Sequence, residues 1–133
     1  MINDLLFVYG SLLDTDNEFG RYLNDNSTLF GAGKFNGRLY DIGEYPGAII
    51  GNENSYPIYG SVCKLKNPEV LTALDDYEGF GPDQEQPNLF IRELLPIETS
   101  DGTTNCWVYL YNLEVDGFVE ITSGDYKTYL KQK

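Results

Sequence analysis

There is no histidine among the 133 residues. The side chain that most often serves as general base or metal ligand is therefore missing. A Ser-His-Asp or Cys-His catalytic system is excluded within this chain. Cysteine is scarce as well. Cys63 and Cys106 lie far apart, each inside an apolar segment, without the clustered spacing of a zinc site. Both read as small core residues, with a disulfide as the alternative, and a metal site is not expected. Basic residues are few: 9 Lys and Arg against 21 Asp and Glu give a formal net charge of -12. Such a field repels phosphate backbones and anionic lipid, so neither nucleic acid nor membrane is an expected partner. No apolar run reaches the length of a membrane-spanning helix. The start, Met1-Ile2-Asn3-Asp4, lacks the basic residues and apolar stretch of a signal peptide. A cytoplasmic protein, monomeric or a homodimer, is the expectation.

What the chain does have is aromatic residues. Eleven tyrosines and seven phenylalanines favour strands and pockets with polar rims. The length suits one domain over residues 1–133, large enough to hold a core without disulfides or metal. Leu5-Leu6-Phe7-Val8 reads as a buried strand that breaks at Tyr9-Gly10-Ser11-Leu12. Gly10-Ser11 is either a plain turn out of the sheet or a set of backbone donors left free for a ligand.

Further along, Thr15 or Asp16 caps a short helix with Phe19, Tyr22 and Leu23 on one face, and Asn24 to Thr28 reads as a loop. Leu29 to Tyr40 is strand-like but interrupted by Gly31, Gly33 and Gly37, which suggests bulges and strong curvature. Pro46-Gly47 fits a type II turn before a short apolar strand. Strands are expected at Ile58–Leu65, Phe90–Ile97 and Asn105–Tyr111, with Ser100-Asp101-Gly102 as a hairpin turn between the last two. Many short strands and few helices indicate an α+β domain on a curved or closed, largely antiparallel sheet.

The best helix runs from Asn67 to Gly79. Asn67 is a good N-cap, Pro68 suits the first helical position, and Gly79 stops it. On a helical wheel with Val70 at zero, Leu74 falls at about 40°, Leu71 at about 100° and Tyr77 at about -20°, which makes a core stripe. Asp75 and Asp76, at about 140° and 240°, face away or lie on its margin. Glu78 falls at about 80°, inside the stripe. A carboxyl there is desolvated and stands at the wrong end of the helix dipole, and both effects raise its pKa into the general acid/base range. The alternative is a structural glutamate that swings to water or pairs with Arg38 or Arg92.

Taken together, these pieces resemble the gamma-glutamylcyclotransferase-like superfamily, in particular its AIG2-like or gamma-glutamylamine cyclotransferase-like branch. Val8-Tyr9-Gly10-Ser11-Leu12 looks like that family's Tyr-Gly-Ser-Leu loop. Tyr45-Pro46-Gly47, Gly60-Ser61-Val62-Cys63-Lys64-Leu65 and Leu74-Asp75-Asp76-Tyr77-Glu78-Gly79 are similar to further family segments in the same order. Phe90-Ile91-Arg92 stands where Tyr-x-Arg is frequent, and Ser123-Gly124-Asp125-Tyr126 where Ser-Gly-Asp-Trp is. The likeness covers nearly the whole chain. It implies a small mixed, largely antiparallel β-barrel flanked by short helices, with the loop and the glutamate facing one cavity.

The reaction the resemblance implies is release of 5-oxoproline and an amine from a small gamma-glutamyl compound by intramolecular aminolysis, with no cofactor. Glu78 is then the catalytic acid and base, and Tyr9, Gly10, Ser11, Leu12 and Tyr109 the substrate-binding residues. Tyr45 and Tyr111 are either further pocket walls or ordinary half-buried strand tyrosines, and the second reading is preferred. Arg92 either holds a substrate carboxylate or makes a structural ion pair. The competing reading is a non-catalytic small-ligand-binding module on the same fold.

Overall fold

Strand β1, Leu5–Val8, is the axis of the fold. In the computed structural model, which describes residues 4–10, 18–43, 45–50 and 54–132, it pairs antiparallel with β4, Tyr56–Leu65, and parallel with β6, Gly102–Tyr111. β6 forms a hairpin with β5, Phe90–Thr99, whose turn is Ser100-Asp101. The long strand β2, Ser27–Asp41, pairs with β4 over most of its length and meets β5 at Gly33 and Lys34. That last contact closes a five-stranded mixed barrel in the order β2, β4, β1, β6, β5. Beyond it, the end of β2 pairs with β3, Pro46–Ile49, and with β7, Val119–Glu120. The helices are α1, Glu18–Asp25, α2, Glu69–Glu78, and α3, Tyr126–Gln132. None of the described helices is long and apolar enough to cross a membrane.

Period-two alternation sorts the strands into two cores. Phe7 and Tyr9 of the first segment pack with Phe35, Ile58, Val62, Val108 and Leu110 inside the barrel. Leu6 and Val8 point the other way, together with Tyr109 and Tyr111, and are covered by Leu23 of α1 and by Val70, Leu71 and Leu74 of α2. Cys106 is buried, Cys63 half-buried, and both thiols are free.

Curvature in β2 comes from the glycine-rich segment, where the register against β4 slips between Leu29 and Gly31. Two local expectations are corrected. Asn24 to Thr28 is not a loop: α1 runs through Asp25 and β2 starts at Ser27. The Asn26 and Ser27 side chains donate to the carbonyls of Tyr22 and Leu23, so the polar residues terminate the helix without needing a loop. Pro46-Gly47 is not a turn but the start of β3, paired with Asp41 and Tyr40. Proline is tolerated as the first residue of a strand, and the chain reverses before it, where the Gly43 N–H donates to the Asp41 carboxylate. Thr15 and Asp16, the expected cap of α1, lie outside the described residues.

Candidate functional site

The end of β1 and the end of α2 meet. The N-cap of α2 is Pro68 rather than the expected Asn67, which stands one residue earlier and accepts the Glu69 N–H with its side-chain oxygen at 3.0 Å. Val70, Leu71 and Leu74 are buried against the barrel wall, contributing on the order of 2 kcal/mol each. Their mean direction on the wheel is about 50°, with Glu78 about 30° from it and Tyr77 about 70°. This difference explains a correction. Tyr77 does not belong to the core stripe and is 38% exposed, whereas Glu78 is half-buried and turned to the protein.

Gly79 fixes where the helix ends. Its φ of 72° is left-handed, its N–H donates to the Asp76 carbonyl at 3.3 Å, and the Phe80 N–H donates to the Asp75 carbonyl at 2.9 Å. These two bonds make a Schellman cap, which leaves Glu78 as the last residue of α2.

Glu78 faces a pocket with Phe7, Val8, Tyr9, Gly10, Tyr45, Pro46, Phe90 and Tyr109. The space between these groups is about 360 Å³, part of it open to solvent. Among the described lining residues Glu78 is the one carboxyl group. Burial, and then the Asp75 carboxylate one turn back, push it up to about 7. The arginines that offered Glu78 a structural pairing are engaged elsewhere: Arg38 with Glu120 at 2.8 Å and Arg92 with Asp75 at 2.8 Å.

The opposite wall is built by Tyr9. Its hydroxyl donates to the Tyr109 carbonyl at 2.5 Å and accepts the Ala48 N–H at 3.2 Å, so one phenol ties β6 and β3 to the end of β1. Burial pushes that phenol well above its ordinary range. Gly10 follows in close contact with Pro46, whose ring a Cβ at this position would overlap. Tyr109 lines the pocket while its hydroxyl donates to Asp75 at 2.7 Å. Four of the six expected site residues, Tyr9, Gly10, Glu78 and Tyr109, thus line one cavity; Ser11 and Leu12 lie outside the described residues.

Five lining residues are not among the expected site residues: Phe7, Val8, Tyr45, Pro46 and Phe90. Phe90, Tyr45 and Pro46 form the apolar side, with Phe90 and Tyr45 ring centroids 5.7 Å apart. Tyr45 is therefore more than a strand residue. Its signal was the family-like Tyr-Pro-Gly segment; Phe90 had only the position before Arg92. Asp75, expected to face away or lie on the margin of the stripe, is half-buried and holds Arg92 through two bonds, at 2.8 and 3.0 Å. Arg92 therefore makes the structural ion pair. Among the described residues no group of three or more Cys, Asp or Glu side chains is disposed to hold a metal ion.

Residues 6–128 match the family described as gamma-glutamyl cyclotransferase, AIG2-like. The chain belongs to the AIG2-like gamma-glutamyl cyclotransferase family. Among curated relatives, a gamma-L-glutamyl-butirosin B gamma-glutamyl cyclotransferase of Niallia circulans is 33% identical over 96% of this chain and 78% of its own. The gamma-glutamylcyclotransferase family protein YtfP of Escherichia coli K12 is 34% identical over 91% of this chain and 94% of its own. The solution structure of Escherichia coli ytfP superimposes with a TM-score of 0.66 at 30% identity, over 92% of this chain and 95% of that one. YkqA of Bacillus subtilis gives a TM-score of 0.74 at 25% identity; the match covers 99% of this chain but 44% of YkqA. A mouse AIG2-like protein, at 18% identity and a TM-score of 0.68, shares the fold. Within this family fold, the described Tyr-Gly of the first loop and the glutamate of the Leu-Asp-x-x-Glu-Gly segment share one pocket.

Proposed function

We propose that this chain is a gamma-glutamyl cyclotransferase, releasing 5-oxoproline and an amine from a small gamma-glutamyl compound. The observation that carries the reading is Glu78: a carboxyl group with a pKa of about 7, in a pocket otherwise walled by aromatic rings and the end of β1.

In this reaction the substrate supplies its own nucleophile. The α-amine attacks the γ-carbonyl carbon, the new C–N bond closes a five-membered lactam, and the γ C–N bond to the leaving amine breaks. A protein nucleophile has no part in it. Glu78 takes a proton from the α-ammonium group as attack begins. It returns that proton to the departing nitrogen as the tetrahedral intermediate collapses, then takes the second proton from the ring nitrogen and passes it to the released amine, which leaves as an ammonium ion, so the carboxylate is regenerated. A group that titrates near neutrality serves both directions, each proton transfer being worth about 10²–10⁴-fold.

The remaining acceleration is positional. Holding the glutamyl arm in its near-attack conformer supplies up to about 7–11 kcal/mol in well-oriented intramolecular reactions. Phe90, Tyr45 and Tyr109 are suited to confine that arm. Backbone N–H groups of Gly10, and of Ser11 and Leu12 in the same loop, are assigned to the oxyanion or to the substrate's α-carboxylate. Tyr9 contributes its ring and its clamp on the loop, since its hydroxyl is already engaged with backbone.

The test is a panel of gamma-glutamyl amines, gamma-glutamyl amino acids and glutathione, with 5-oxoproline measured as product. Turnover of at least one member is expected. A protein that binds a panel member but forms no 5-oxoproline from any of them is a binding module, and the cyclotransferase reading fails.

A further inference from the structure

Beside the pocket lies a charged cluster that the mechanism does not use. Arg92 of β5 bonds Asp75 through both oxygens, and Tyr109 of β6 adds a third donor to the same carboxylate. The guanidinium lies 4.4 Å from the Trp107 ring centroid and 5.8 Å from that of Phe80. Asp75 is the first residue of the Schellman cap and Phe80 the last, and Glu78 stands between them. One arginine therefore grips both ends of the turn that presents the glutamate. A fork-to-carboxylate pair stacked on aromatic rings is among the more rigid anchors that side chains provide.

We propose that Asp75 and Arg92 are positioning residues for Glu78: Arg92 fixes the last turn of α2 to the barrel, and Asp75 keeps a like charge beside the pocket carboxyl. The inference rests on the reading of Glu78 as the acid/base group and deepens it. A carboxylate three residues before another on a helix lies on a neighbouring face, and like charge there favours the protonated form of its neighbour. The other titratable groups facing Glu78 are Tyr9 just after β1, Tyr109 from β6 and Tyr45 on the β3 side; burial pushes the Tyr9 and Tyr109 phenols up, so both stay neutral near pH 7. Arg92 from β5 is paired to Asp75, and its positive charge opposes the negative charge of the Asp75 carboxylate.

The experiment follows the Glu78 carboxyl carbon by NMR titration, its resonance assigned by its loss in Glu78→Gln. Wild type, Asp75→Asn and the double variant Asp75→Asn with Arg92→Met are compared. In Asp75→Asn the like charge is gone and Arg92 is left without its partner, so the midpoint falls by about one pH unit or more. In the double variant both charges are gone and the midpoint lies between that of Asp75→Asn and that of wild type. The double variant also serves if the single one does not fold, because no lone charge is left buried. A midpoint in either variant equal to that of wild type overturns the proposal. With a substrate in hand, the acid limb of kcat/KM moves with the NMR midpoint; a limb that stays in place while the midpoint falls overturns it as well. The two readings separate cleanly. A wild-type protein without turnover whose midpoint depends on Asp75 loses the catalytic assignment and keeps the electrostatic unit. Turnover with a midpoint indifferent to Asp75 does the reverse.

Discussion

Replacing Glu78 by glutamine should make the protein more stable, and more so as pH rises. Below about pH 4.5 the carboxyl is protonated in the folded and unfolded chain alike and costs nothing. Above that, the unfolded chain releases its proton first, while the folded group holds it up to about 7. Folding stability is therefore lost across this window, and the loss is complete once the folded group has ionised. From about pH 5.5 to about pH 8.5 the loss grows by about 1.5 pK units, or about 2 kcal/mol. Water reaching Glu78 through the pocket mouth makes this an upper figure. Glutamine keeps the shape and does not titrate. At about 2–6 °C per kcal/mol for a domain of this size, the Tm of the variant gains roughly 4–12 °C on wild type between those pH values. Thermal unfolding of both proteins by circular dichroism across the range measures it. Parallel Tm curves would refute the reasoning, because they would mean that Glu78 ionises as an ordinary exposed carboxylate.

Three further perturbations follow from the same geometry. Gly79→Ala places a Cβ at φ 72° and costs about 1–2 kcal/mol in urea unfolding, with a fall in kcat because the turn holding Glu78 moves. Tyr9→Phe leaves the Tyr109 carbonyl and the Ala48 N–H without their shared hydroxyl, costing about 1–3 kcal/mol, while the proton-transfer limb of the pH profile stays in place. Leu74→Ala empties a fully buried position under α2 and costs about 2–5 kcal/mol, read from the urea midpoint at unchanged m-value.

The barrel was legible because its strands alternate or turn on glycine, and both signals are local. Glu78 was legible because a cap residue, a proline and a stop glycine set the phase of α2, and phase decides which side a residue faces. In several of the misreadings a specific partner overrode a local preference. Pro-Gly prefers a turn, yet ladder bonds to Tyr40 and Asp41 drew Pro46 and Gly47 into a strand. Asp75 lay on the margin of the wheel, where a side chain can go either way; its partners, 17 and 34 residues away, drew it in. Tyr45 and Phe90 stand side by side on the apolar wall of the pocket, through a ring contact between segments far apart in sequence. Ser11 and Leu12 remain assigned on resemblance, since they lie outside the described residues.

The central claim is that Glu78 moves the protons of ring closure, and steady-state kinetics of Glu78→Gln tests it most directly. With 5-oxoproline release followed from a gamma-glutamyl substrate that wild type turns over, the variant is expected to lose at least about 10²-fold in kcat with KM little changed. A variant within a few-fold of wild-type kcat would contradict the account.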